Sequence, residues 1–191
     1  MLIFAVIFLT IAILPAAVCA EDLGPLSTKG TRQCGINVGY GYSFSSNDDI
    51  RFASVYPYFG KVLTDPVGSG MLRGTFEGIV EGAFSYVFKD QSTYATGVNV
   101  IGRYNFIPDS NKWRPYIQAV LGMVVTNLSM YHFGSNFNFC SGGAAGLQYF
   151  FNDRDSINLE CRFTHMSNAG IDSDNSGLNM NNILIGYSHT F

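Results

Sequence analysis

The sequence predicts an all-β fold, an eight-stranded antiparallel transmembrane β-barrel of the outer membrane. Three observations carry that expectation. Long runs alternate apolar and polar residues with a period of two, which is the strand period and not the helical one. Only 13% of the 191 residues are charged while 15% are aromatic, with 16 Phe and 11 Tyr, against about 25% charge in an average soluble chain. A surface with so little charge is covered partly by something other than water. The chain also opens on an apolar leader and stops on an aromatic residue, Phe191, at the end of an alternating run.

The leader reads as a secretory signal peptide over 1–20, which leaves 21–191 as a single barrel domain. Leu2 to Leu14 is apolar apart from Thr10, Pro15 interrupts it, and Val18-Cys19-Ala20 offers small residues ahead of Glu21-Asp22. The run is short for a transmembrane helix. Its amino-terminal region carries no Lys or Arg. Cleavage before Cys19, as in a lipoprotein, is the alternative, with Val18 bulky for that site.

After residue 30 the apolar residues alternate in about eight runs: 33–45, 50–63, 71–88, 94–106, 113–126, 136–151, 155–167 and 178–191. In the first, Ile36, Val38, Tyr40, Tyr42 and Phe44 share one face and Gly35, Asn37, Gly39, Gly41 and Ser43 the other. In the third, Leu72, Phe76, Val80, Phe84, Tyr86 and Phe88 oppose Arg73, Thr75, Glu77, Glu81 and Ser85. Spans of ten or more tilted residues suit a bilayer-crossing barrel. Closure leaves no open edge, which lipid requires because nothing there can satisfy free N–H and C=O groups. Tyr56, Tyr58, Trp113, Tyr116 and Tyr149 suit interfacial aromatic girdles. Glu77, Glu81, Arg73, Arg103, Glu160 and Arg162 fall at inward parity and suit a charge-paired lumen, which eight strands nearly fill. The last run ends on Ile183, Ile185, Tyr187, His189 and Phe191, all on one face. With both ends in the periplasm, 64–70, 107–112 and 152–154 are periplasmic turns, and 46–49, 89–93, 127–135 and 168–177 face the exterior.

A net charge of −3 with no basic run argues against a nucleic-acid partner. Cys34, Cys140 and Cys161 remain after the leader. Three thiols make no disulfide framework, and they read better as small strand residues than as a redox or metal set. His132 falls in an outer loop and His189 near the periplasmic end, too far apart for a shared metal. The scattered glycines form no phosphate-binding loop.

The seventh run carries the chemistry. Ile157, Leu159, Cys161 and Phe163 alternate with Ser156, Asn158, Glu160, Arg162 and Thr164, and the apolar parity continues to His165 and Ser167. Two residues apart on a strand, they project the same way with Cα atoms about 6.5–7 Å apart. A Ser hydroxyl becomes a nucleophile when a neighbouring base takes its proton. Polar punctuation at a strand end is the bland explanation, and it does not account for a His–Ser pair facing lipid.

The order His165-Met166-Ser167-Asn168-Ala169-Gly170-Ile171 resembles the HxSNAG motif of the lipid A 3-O-deacylases (PagL type), and the likeness continues through Asn175-Ser176-Gly177 and Ile185-Gly186-Tyr187-Ser188. Leu72-Arg73-Gly74 to Val80-Glu81-Gly82 and Trp113-Arg114-Pro115-Tyr116 are similar too. The resemblance implies an eight-stranded outer-membrane esterase that removes the 3-O-linked acyl chain of lipid A, with lipopolysaccharide as substrate and no metal or organic cofactor. It implies Ser167 as nucleophile and His165 as general base. The Asn168-Ala169-Gly170 turn, with Asn175, would supply N–H donors to the oxyanion. The family pattern has a Glu fourteen residues after the His, where this chain has Asn179. An Asn carbonyl can hold the imidazole as in Cys-His-Asn enzymes, without supplying charge. Asp172 and Asp174 are the other candidates for that role. Two further readings stay open: a non-catalytic structural or adhesion barrel, and an esterase of the same fold acting on another lipid.

Overall fold

The computed structural model describes residues 23–44, 50–88, 93–108, 112–127, 135–173, 175 and 177–191. The leader, 1–20, lies outside the described residues, as do His132 and Asp174. Eight antiparallel strands close on themselves in sequence order: β1 Arg32–Ser43, β2 Arg51–Val62, β3 Gly74–Phe88, β4 Thr93–Phe106, β5 Trp113–Thr126, β6 Phe137–Phe150, β7 Asp155–Ser167 and β8 Leu178–Thr190. β1 completes the ring by pairing with β8 from Gln33↔Thr190 to Ser43↔Met180. β1 therefore starts and β8 ends at one rim, here the terminal rim, and β1, β3, β5 and β7 end at the opposite one, the far rim.

The alternation seen in the sequence becomes an outside and an inside. Ile36, Val38, Tyr40 and Tyr42 of β1 face outward, as do Ile183, Ile185 and Tyr187 of β8, with roughly half of each side chain exposed, as for Ile183 at 65%. Such a band of apolar surface is costly in water and favourable in lipid. Inside, charge is buried in pairs, since a lone buried charge would be far more costly. Arg162 makes a two-pronged contact with Glu81 at 2.6 and 3.0 Å and reaches Glu160 at 2.6 Å through Nε. Arg103 Nε donates to Gln118 Oε1 at 2.8 Å, and Asn99 donates to Glu81 at 2.9 Å.

Two expectations about inward and outward residues are corrected. Tyr56, Tyr58 and Tyr116 belong to the lumen, not to a girdle, and all are buried. In β2, Val55 and Phe59 are the exposed residues, so strand parity sends both tyrosines in. Their rings meet the buried cations: Arg162 lies 4.9 Å from the Tyr56 centroid, and Arg103 lies 4.1 Å from that of Tyr116. Trp113 and Tyr149 do sit outside, with ring centroids 4.6 Å apart. The third strand starts at Gly74 and not at 71. Residues Gly70–Leu72 form a 3₁₀ turn after Gly68 and Gly70, whose φ values of +80° and +56° leave extended geometry. Leu72 and Arg73 thus precede the strand, and Arg73 is a turn residue, not a member of the lumen row.

Near the terminal rim, residues ahead of β1 fold in, with Leu26 packed on Val62 and Phe150, and its carbonyl accepting from Thr75 Oγ1 at 2.8 Å. Near the far rim an apolar cluster of Ile50, Phe52, Val87, Ala95, Val124, Met166, Leu178 and Met180 packs inside the barrel beside a small cavity. Met166 and Leu178 place this cluster directly behind His165, Ser167 and Asn179.

Candidate functional site

The site forms where β7 ends and β8 begins. Thr164, Met166 and Asn168 turn inward and are buried, so His165 and Ser167 turn outward and remain half-buried. His165 pairs in register with Asn179 on β8 and with Ser141 on β6. The predicted contact forms: His165 Nδ1 and Asn179 Oδ1 are 2.7 Å apart. An amide oxygen is an acceptor only, so Nδ1 carries the proton and Nε2 keeps its lone pair. Asn179 thus stands against the ring at Nδ1, and Asp172 lies in the loop, where its carboxylate accepts from Ser173 Oγ at 3.3 Å.

Ser167 stands one pleat further along β7, opposite Phe139. Its hydroxyl makes no hydrogen bond among the described residues. His165 and Ser167 are brought to one face and one rim.

The chain then turns tightly. Ala169 and Gly170 have φ values of +54° and +82°, the left-handed region in which alanine is unusual. Two asparagines hold this turn. Asn168 Oδ1 accepts the Gly170 N–H at 2.8 Å, and Asn175 Oδ1 accepts the Asn168 N–H at 3.0 Å. Two of the three N–H groups expected to face an oxyanion are therefore already engaged. The Ala169 N–H and the Asn175 Nδ2 make no hydrogen bond among the described residues. Non-glycine residues held in this region cluster at functional sites, where backbone strain is commonly stored.

Sequence reasoning gave no role to Gly177. It has φ +66°, and a Cβ there would lie 2.9 Å from His165 Cε1. A side chain there would strain the backbone and press on the ring. The Asn-Ser-Gly order before a strand was the available signal, and it shows only that a turn occurs, not what the turn touches.

Comparisons with known proteins extend the picture. The model of the family described as lipid A 3-O-deacylase (PagL) matches residues 67–188. None of the curated proteins compared with the chain matches it. Among solved structures, the outer membrane enzyme PagL is similar, with a TM-score of 0.58 and 18% identity over 81% of this chain and 97% of that one. Neisserial surface protein A (NspA) is similar at 0.59 and 15%, over 85% and 100%. OprG of Pseudomonas aeruginosa is similar at 0.53 and 12%, over 87% and 99%. At these identities the structures establish a fold shared among outer-membrane barrels, enzyme or not. The family match covers well over half of the chain, across every strand from β3 to β8, and on it the chain belongs to the lipid A 3-O-deacylase family.

Proposed function

We propose that this protein is an outer-membrane ester hydrolase that removes the 3-O-linked acyl chain of lipid A. The observation that carries the proposal is the 2.7 Å contact between His165 Nδ1 and Asn179 Oδ1 on the outward face, one pleat from Ser167. It leaves Nε2 of a correctly oriented imidazole as base, at a rim where a lipid headgroup and its first ester bonds meet the barrel. We take 1–20 as the signal peptide that directs the chain to that membrane.

In the mechanism His165 Nε2 takes the proton of Ser167 as Oγ attacks the ester carbonyl. The developing oxyanion is met by the Ala169 N–H and by Asn175 Nδ2, and Asn168 and Gly170 hold the turn that aims them. The proton passes from Nε2 to the leaving sugar oxygen, and water then releases the fatty acid by the same route reversed. Asn179 fixes the tautomer throughout but adds no negative charge to the imidazolium that forms. The reaction therefore relies on orientation more than on charge stabilisation.

Mass spectrometry of lipid A from a host lacking this activity, expressing the parent chain or Ser167→Ala, tests the proposal. Loss of one 3-O-linked acyl chain with the parent and none with the variant is expected. Unchanged lipid A with both, from folded barrels, would favour the non-catalytic barrel. Release of fatty acid from phospholipid alone would favour the other-lipid esterase.

A further inference from the structure

A second histidine on the outward face lies at the opposite rim and is built into a row with a carboxylate and a thiol. Barrel closure sets Cys34 of β1 across from His189 of β8, and His189 across from Asp155 of β7. The three share one outward row. His189 Nδ1 lies 2.7 Å from Asp155 Oδ1, with the imidazole 39% exposed. The carboxylate is itself fixed. Tyr187 Oη donates to the same oxygen at 2.5 Å, and Asn152 Nδ2 donates to Oδ2 at 2.9 Å. Asn152 is in turn held by the Arg154 and Asp155 N–H groups at 2.8 and 2.7 Å. An imidazole whose Nδ1–H is given to a carboxylate keeps Nε2 as a base. That nitrogen has no hydrogen-bond partner among the described residues.

Cys34 is an exposed free thiol. Cross-strand neighbours on one face have Cβ atoms about 4.5–5.5 Å apart, within reach of side-chain rotation. The other cysteines lack this company. Cys140 turns inward against the apolar cluster, and Cys161, also exposed, stands in register with Ala145 and Ile183. A clasp closing the barrel needs only His189 and Asp155; it does not call for a thiol at the third place. The surroundings are apolar: Phe59 stands opposite Cys34 on β2, its ring 6.2 Å from Phe191, with Ile36, Ile157 and Tyr187 exposed alongside. Such a surface is suited to an acyl chain.

We propose that Cys34, His189 and Asp155 form a second acyl-transfer site, with Cys34 as nucleophile toward long-chain acyl esters presented by the membrane at the terminal rim. His189 Nε2 takes the thiol proton as sulfur attacks the acyl carbon. The acyl–oxygen bond breaks, and the proton passes to the leaving oxygen, giving S-acyl-Cys34 and an alcohol. Water then returns the thiol and frees the fatty acid. The step is independent of Ser167.

The test uses the full mature chain, folded in detergent, carrying Ser167→Ala so that the far-rim site is silent, with p-nitrophenyl decanoate as probe. Intact-mass and peptide mass spectrometry locate the decanoyl group, and p-nitrophenol release is followed in parallel. Decanoylation or turnover that depends on Cys34, with Cys161 unmodified, is expected. Both should slow by about a hundredfold or more in His189→Gln, the low end of what a general base contributes. Asp155→Asn, which keeps the shape of the row, should slow them too and serves if His189→Gln does not fold. Equal modification of Cys34 and Cys161, rates untouched by both variants, or no Cys34-dependent reaction would each overturn the proposal. None of these results bears on the lipid A reading, because Ser167 is absent throughout.

Discussion

The two outward histidines sit at opposite ends of the same two-stranded ribbon and are held in mirrored ways. His165 on β7 is held by Asn179 on β8, and His189 on β8 is held by Asp155 on β7, each at 2.7 Å through Nδ1. The partners differ in charge. A carboxylate stands at the terminal rim, while the far rim has an amide. The surroundings differ as well. At the far rim the following turn is left-handed and asparagine-braced and offers N–H donors, whereas at the terminal rim a turn pinned by Asn152 serves only to fix Asp155. Orientation of an imidazole thus needs only an acceptor in register. A left-handed turn with a free N–H and a charged partner are separate features, and this barrel places them at opposite rims.

The largest expected effect comes from removing the far-rim nucleophile or base. Ser167→Ala and His165→Ala should each lower lipid A deacylation by about 10⁴-fold or more, and the double variant should be little worse, because such residues act as a unit. Deacylation rates on purified lipid A, with heat-modifiability on gels as the folding check, decide this. Substantial activity in Ser167→Ala would transfer the reaction away from Ser167.

Next is the partner. Asn179→Ala should cost about a hundredfold or more, since an unoriented imidazole samples the wrong tautomer. Asn179→Glu should match or exceed the parent, because a carboxylate holds the ring and also stabilises the imidazolium. If Asn179→Ala keeps the parent's rate, the orienting group is another one, and the contrast between the rims loses its basis.

A smaller loss is expected at Gly177. Alanine there brings a Cβ to 2.9 Å from His165 Cε1 in a left-handed backbone, so the ring or the loop must shift. About tenfold slower deacylation is expected for a base displaced by a fraction of an ångström. NMR of the His165 ring in parent and variant would register the displacement directly. The smallest effect is at the other rim. Asp155→Asn should change lipid A deacylation by less than about twofold, because sites this far apart with no shared partner act independently.

Much of this architecture was legible in the chain. Eight runs of period two matched eight strands to within three residues at every end, since side chains on a strand alternate whatever surrounds them. The same parity put His165, Ser167 and Asn179 on one face. It fell short where an extra fact was needed. Aromatic character alone does not say whether Tyr56, Tyr58 and Tyr116 seek an interface or a buried guanidinium; parity within β2 and the positions of Arg103 and Arg162 decide it. The start of β3 was hidden because Gly70-Met71-Leu72 continues the apolar pattern while its backbone turns.

The sequence by itself determined the strands, their two faces, the composition of band and lumen, and the motif that ends β7, because each is a local property of successive residues. Only the tertiary structure decided which groups meet across the sheet. The Asn168 and Gly170 N–H groups are taken by asparagine side chains, Gly177 abuts the His165 ring, and Cys34 stands beside His189 because β1 pairs with β8. Register between strands from opposite ends of the chain is set by closing the ring with every apolar row facing out. That is a condition on all eight strands together, and no single stretch of residues carries it.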